Sequence, residues 1–331
     1  MARLSLWLIG FSSKRTSSVD ASLIRLKTMS FCVRYWRRLL ASFFLFGLII
    51  LMFRPTAAVS EIIPDDVVRV RLISSVLGVA ESDGEVLGGL AIDLDPEWKI
   101  YWRSPGAFGF APEFDWSNST NVRDVEVSWP APSRIVVEAA PPVFILGYAD
   151  NVILPLEVRL ARAGEPLTLR LKMEFGICRD VCLPATAVAE LTVPRGSNRP
   201  STDAPRIAEY INRIPRRNGT DGLVIKSAHL LASKSGIAII ACSETPFTKP
   251  DVFVELPTIT PLALPKVDLM DNGRKAAFTL EYDKAFLKSN LIERLAPGTP
   301  LTVTVTEGRK AVEMRLELNH IDTSSIGGTG C

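Results

Sequence analysis

Two cysteines four residues apart, Cys178 and Cys182, impose the tightest constraint on how this chain can fold. They follow the run Leu167 to Phe175, whose apolar and β-branched content reads as a strand. If that strand ran through both cysteines, their Cα atoms would lie roughly 13 Å apart, at about 3.3 Å per residue. A disulfide needs less than about 7 Å. Either the pair never bonds, or the backbone turns sharply between its members. Gly176 before the pair and Pro184 after it allow the strand to break there. The segment therefore reads as a strand ending in a redox-capable turn.

Export decides how the cysteines are interpreted. Arg34, Arg37 and Arg38 precede an apolar run from Leu39 to Phe53, and Pro55-Thr56-Ala57-Ala58 follows. That is a basic segment, a short hydrophobic stretch and a small-residue cleavage site, the pattern of a signal peptide. A spanning helix would need about 20 apolar residues, so an uncleaved membrane anchor is the lesser alternative. Met29 is a candidate true start, and the exported chain is expected to begin near Val59 to Glu61. Four cysteines then remain, Cys178, Cys182, Cys242 and Cys331, an even number suited to disulfides in an oxidising compartment. Closing a five-residue loop removes only about 2 kcal/mol of unfolded-state entropy, so the close pair is a modest staple and better suited to switching.

The rest of the chain reads as strands. Val67–Ile73, Glu85–Leu94, Trp98–Trp102, Val122–Trp129, Asn151–Leu160, Leu167–Phe175 and Ala187–Val193 are separated by turn signals, with no convincing helix between them. Seven short strands at this spacing indicate a β-sandwich over residues 61–195. A linker and a short helix, Ala204–Ile214 capped by Asp203, occupy 196–216. A second sandwich is expected over 217–321, with a helical excursion at Lys284–Leu295, and residues 322–331 form a tail. The fold class is all-β, two immunoglobulin-like sandwiches behind a signal peptide.

Composition narrows the function. The net charge of +2 gives no case for nucleic acid, and two histidines, His229 and His320, argue against a histidine metal site. Both are read as structural. Trp98, Tyr101, Trp102, Trp116 and Trp129 are read as core and rim packing; no acidic pair accompanies them that would suit glycoside hydrolysis. Arg179 would favour a Cys178 thiolate and Asp180 would oppose it, so local charge roughly cancels. Cys242, which ends the run Ile237 to Cys242, is most simply a buried small residue, with a bridge to Cys331 as the alternative. Phe144 to Tyr148, after Ala140-Pro141-Pro142, reads as an apolar loop that covers something, or else as a core plug.

Asp95-Pro96-Glu97-Trp98-Lys99-Ile100-Tyr101-Trp102-Arg103-Ser104-Pro105-Gly106, Ser128 to Pro132, Gly147-Tyr148, Leu154-Pro155-Leu156 and Phe175 to Pro184 form a more specific set. Together they resemble the N-terminal periplasmic domain of DsbD-type protein-disulfide reductases, especially the ScsB-like branch, over about residues 60 to 195. The resemblance implies an immunoglobulin-like domain whose Cys178 and Cys182 shuttle between dithiol and disulfide without an organic cofactor. It implies a membrane-embedded thiol reductase as electron donor and oxidised periplasmic proteins as acceptors, in a Gram-negative periplasm. By position it makes Phe144 to Tyr148 the cap over the pair, with Phe144 as lid. Cys178 and Cys182 share the attacking and resolving roles, with Cys182 favoured as the attacker. After residue 195 the sequence has no multi-helix segment and no thioredoxin-like C-x-x-C. The donor is therefore expected to be another protein, or the redox role to be lost. Two other classes stay open. One is a Cu(I) chaperone of the Sco type using Cys178 and Cys182, with Met173 nearby. The other is a non-catalytic interaction module with a structural disulfide.

Overall fold

A computed structural model describes residues 67–106, 109–137, 143–217, 219, 221–231, 236–257, 262–282, 295–320 and 331. The signal-peptide segment and the expected helix at Lys284–Leu295, but for Leu295 itself, lie outside these residues. So does the tail, but for Cys331. All described residues fall within one compact unit.

The chain opens with β1 (Val68–Ser74), β2 (Glu85–Leu94), β3 (Lys99–Tyr101), β4 (Glu113–Asp115) and β5 (Val122–Val127). It continues with β6 (Ser133–Val137), β7 (Val143–Ala149), β8 (Asn151–Leu160), β9 (Leu167–Cys178) and β10 (Cys182–Val193). After α1 (Ala204–Ile211) come β11 (Arg216–Arg217), β12 (Leu223–Leu230), β13 (Gly236–Ser243), β14 (Pro250–Glu255) and β15 (Lys266–Met270). The last strands are β16 (Lys275–Glu281), β17 (Pro300–Glu307), β18 (Lys310–Glu317) and β19 (Asn319–His320).

Four sheets result. The first has the order β1-β2-β8-β5; the second runs β10-β9-β3-β7-β6, with β4 also paired to β9. The third is β11-β18-β17-β14 and the fourth β15-β16-β13-β12-β19. Pairing is antiparallel except where the two-residue strands β11 and β19 join β18 and β12. The chain is thus all-β, as the spacing of apolar runs implies. Strands β4, β6 and β7 were not expected from the sequence: β4 and β6 are short, and β7 is apolar throughout and shows no alternation.

Strand β9 shows why these runs fold as they do. Leu167, Leu169, Leu171, Met173 and Phe175 point inward and are buried, while Arg170, Lys172 and Glu174 alternate outward. Each such burial contributes about 1.5–3 kcal/mol before chain entropy is counted. They join Leu90, Ile92, Leu154 and Leu156 from the facing sheet in one core. A second core, around Ile237, Ile239, Phe278, Val303 and Val305, lies between the third and fourth sheets.

Helix α1 closes part of the first core. Ile207 and Tyr210 are its buried residues, and the Tyr210 hydroxyl donates to the Asn151 carbonyl at 3.0 Å. It ends at Ile211, short of Ile214, and Asp203 makes no side-chain cap bond. The Asp203 carboxylate pairs instead with Arg206 at 3.2 Å.

The two pairs of sheets meet through strand ends. The Trp102 ring packs edge-on against Phe253, with centroids 6.2 Å apart. The Arg103 guanidinium bridges Glu255, at 2.7 Å, and Glu313. Arg134 pairs with Asp251 at 3.2 Å and donates to the Val252 carbonyl at 2.7 Å.

Cys242 is bonded to Cys331, with Cα atoms 5.8 Å apart, so the bridge holds and the reading of Cys242 as a free buried thiol does not. The bond spans 89 residues. By chain entropy, a loop of that length confers up to about 4–5 kcal/mol. Cys331→Ser is expected to lower the denaturant midpoint and remove about 2–4 kcal/mol of stability. An unchanged midpoint, followed by circular dichroism in urea, would show that the bond constrains nothing.

Candidate functional site

The expected turn lies between the cysteines. Strand β9 ends at Cys178 and β10 starts at Cys182, which sit opposite each other in the ladder, and Arg179-Asp180-Val181 connects them. Their Cα atoms are 4.1 Å apart and their sulfurs are bonded.

Gly176 and Pro184 play a different part from the one the sequence suggested. They do not break the strands; they face each other within the ladder. Gly176 is required by close approach: a Cβ there would lie 2.9 Å from the Phe110 Cβ and 2.9 Å from the Tyr101 ring. Pro184 is accommodated because β10 ends its sheet, where a missing N–H costs no ladder bond.

Successive residues of a strand face opposite ways, and this places the disulfide. Ile177 enters the main core, whereas Cys178 joins a separate cluster with Tyr101 and Ile145, flanked by Ile135. The disulfide therefore sits on the outer face of the sheet. Cys178 is fully buried there and Cys182 is exposed.

Tyr101 touches both sulfurs of the bond. Its hydroxyl lies 3.0 Å from Cys182 Sγ and 3.1 Å from Cys178 Sγ. Burial raises the Tyr101 pKa above that of a free phenol, so the hydroxyl keeps its proton at neutral pH. Gly109 lies against the Tyr101 ring, and Phe110 lies against Gly176, whose N–H donates to the Phe110 carbonyl at 3.3 Å. The sequence reading passed over both Tyr101 and Phe110 as site residues. Period two was the available signal for Tyr101, since Ile100 beside it is core.

Arg179 and Asp180 pair at 3.0 Å, and the guanidinium lies 5.3 Å from the Trp98 ring centre. The charges beside Cys178 are satisfied by each other, as their adjacency implied.

The expected cap is corrected. Phe144 and Tyr148 lie in β7, not in a loop, because the run Val143 to Ala149 is held in ladders by both β3 and β6. Tyr148 pairs with Ile100 and shares its core face; its hydroxyl donates to the Pro130 carbonyl at 2.7 Å. Burial pushes the Tyr148 phenol well above its ordinary pKa. Phe144 is on that same side by alternation, with the Arg134 guanidinium 5.9 Å from its ring. The β7 residue that faces the disulfide is Ile145. Prolines 141 and 142 lie outside the described residues.

A Cu(I) site using Met173 meets the same geometry. Met173 is fully buried in the main core, on the opposite face of β9 from Cys178. Among the described residues, no group of three or more His, Cys, Asp or Glu side chains converges. His229 is buried in β12 with neither ring nitrogen partnered, and burial lowers its pKa; it belongs to the second half of the chain.

Residues 74–194 match the family described as thiol:disulfide interchange protein DsbD, N-terminal. Residues 213–320 match a domain of unknown function, DUF8393. No curated protein matches the chain. Among solved structures, the N-terminal periplasmic domain of ScsB from Proteus mirabilis superposes with a TM-score of 0.61 at 22% identity. That alignment covers 77% of this chain and 95% of that one, which relates the fold of both halves. The chaperone YadV aligns at 9% identity and a TM-score of 0.20, over 75% of this chain and 99% of that one, too low to bear on the argument.

The close approach at Gly176 is open to direct test. Gly176→Ala is expected to cost about 1–3 kcal/mol, because backbone or the Tyr101 ring must move to admit the methyl group. Urea unfolding that finds the variant as stable as the parent would refute the close approach of Phe110 and Tyr101 to Gly176.

Proposed function

We propose, on the premise that residues 74–194 are a domain of the DsbD N-terminal family, that Cys178 and Cys182 carry out thiol–disulfide exchange with protein partners. One observation carries this reading: the two cysteines bridge adjacent strands at an open hairpin end, with Cys182 exposed and Cys178 buried. A structural staple gains nothing from such asymmetry. An exchange site needs it, because one sulfur must meet the partner while the other waits.

Cys182, the accessible sulfur, attacks the disulfide of an oxidised periplasmic protein and forms a mixed disulfide. Cys178 then attacks Cys182, restores the internal bond and releases the reduced partner. The Tyr101 hydroxyl, within reach of both sulfurs, donates a hydrogen bond to whichever carries negative charge. A membrane-embedded thiol reductase regenerates the dithiol. The domain division that goes with this function is 61–195 for the redox sandwich and 217–321 for a second one, both immunoglobulin-like, in a protein exported to the periplasm. Arg103 and Arg134 tie the second to the first.

Equilibrating the purified chain in glutathione buffers tests the reading. The Cys178–Cys182 couple is expected above about −300 mV, in the range of exchanging rather than structural disulfides. Cys178→Ser should accumulate a mixed disulfide through Cys182, whereas Cys182→Ser should react far more slowly. A potential well below that limit, or equal reactivity of the two variants, would return the bond to a structural role.

A further inference from the structure

The hairpin turn between β17 and β18 leaves its cations without a counter-charge. Glu307, Gly308, Arg309 and Lys310 form it. The Glu307 carboxylate is taken up by the loop before β14. It accepts from the Thr248 hydroxyl and from the amides of Thr248 and Lys249, at 3.1 and 3.2 Å. Asp251, in β14, is taken up by Arg134 of β6, and Arg213 pairs with exposed Glu209. Lys249, Arg309 and Lys310 are exposed, and among the described residues none of them is paired with a carboxylate. Lys310 donates to a neutral group, the Asp221 carbonyl, at 3.1 Å. A cavity of about 560 Å³ lies between the two halves of the chain. Among the described residues, Arg134, Arg213, Lys249, Arg309 and Lys310 line it against the single carboxylate of Asp251. The whole chain is nearly neutral, at +2, so this is a local concentration of charge.

We propose that this cavity binds a small anion bearing two or more negative charges, on phosphate or carboxylate groups, and that the bound anion bridges the two halves. The proposal goes beyond the exchange reading and does not depend on it. Uncompensated cations held close together repel, and a multiply charged anion among them replaces that repulsion with several attractive contacts. Concave walls of low dielectric concentrate the field further. The Arg309 guanidinium offers a planar fork that fits carboxylate or phosphate oxygens, and the Lys249 and Lys310 ammoniums act as point charges. A volume of about 560 Å³ falls within the range of small-molecule sites, about 300–1,000 Å³. Pro132, Pro250 and Ala311 give the ligand's carbon skeleton an apolar wall.

The bridge follows from where the cations are anchored. Arg134 belongs to β6. Arg213 follows α1 and is fastened to the first half, its carbonyl accepting from the Ala131 N–H at 3.0 Å. Lys249, Arg309 and Lys310 belong to the second half, on the loop before β14 and on the β17–β18 turn. Phe253, whose ring meets Trp102 across the junction, is part of the same wall. An anion held between Arg213 and the turn adds a charged contact beside that apolar one, and so favours one arrangement of the halves.

Titration calorimetry of the full chain tests this, with pyrophosphate and citrate as separate probes and sodium chloride of equal ionic strength as the reference. Saturable binding of either anion is expected, and the one that binds assigns the site to phosphates or to carboxylates. The same anion should raise the thermal unfolding midpoint as its concentration rises. Lys249→Gln combined with Arg309→Gln should weaken binding at least about tenfold. Circular dichroism should show that chain folded, since both side chains are exposed and unpaired. Arg213→Gln should weaken binding as well, whereas Lys172→Gln, on the exposed face of β9, should bind as the parent does. Saturable binding of neither anion would overturn the site, as would equal affinity in the double variant and the parent. An equal loss in Lys172→Gln would reduce the effect to net charge and overturn it too. A loss in the double variant with full affinity in Arg213→Gln would overturn the bridge.

Discussion

Strand β9 serves two faces at once, and the rest of the first half follows from that. Its odd-numbered residues, Leu167 to Ile177, fill the space between two sheets. Its even-numbered end, Gly176 and Cys178, forms the floor of the disulfide site on the other side. A shift of one residue in register would put the cysteine into the core and a leucine on the surface. Burial of the leucine series is therefore what holds Cys178 in place. The chemistry borrows its precision from the core.

Strand β3 repeats the arrangement in three residues. Ile100 enters the core, and Tyr101 turns outward to lie within hydrogen-bonding distance of both sulfurs. Trp102 and Arg103, next in sequence, engage Phe253, Glu255 and Glu313 from the second half. The Arg103 guanidinium is partly buried, and the two carboxylates raise its pKa against the opposing effect of burial, so it stays charged. Pairs of this exposure contribute little individually. Here one cation serves two anions beside a packed aromatic contact, which favours a single orientation of the halves over a range of them. The residue that touches the disulfide is thereby only two positions from the residue that anchors the second half.

The all-β architecture was legible because apolar runs bounded by turn signals, such as Glu85–Leu94 and Asn151–Leu160, read as strands, and Leu167–Phe175 alternates cleanly. Reach limited the cysteines to two outcomes, no bond or a sharp turn; Gly176 and Pro184 pointed to the turn, and both in fact lie within the ladder. The cap was misjudged for an equally physical reason. Phe144 to Tyr148 is apolar at every position, so period two is invisible in it, and neighbouring prolines make it look like a loop. Partners elsewhere in the chain, Tyr101 and Ile100 on one side and Arg134 on the other, make it a strand. Phe110 could not be foreseen at all. Its place depends on a glycine 66 positions away having no side chain.

The two disulfides differ in what surrounds them, and this divides their roles. Cys242 and Cys331 tie residues 89 apart, and a reducing partner that broke that bond would release a long loop's worth of chain entropy. Cys178 and Cys182 are only four apart and already opposed in a ladder, so breaking their bond frees little chain. The hairpin is also paired from Leu183 to Val193, so its ladder extends far beyond the sulfurs. A bond whose loss leaves its scaffold standing can open and close repeatedly. Its neighbours, a protonated tyrosine and an ion pair that neutralises itself, then bear on the exchange rather than on the fold.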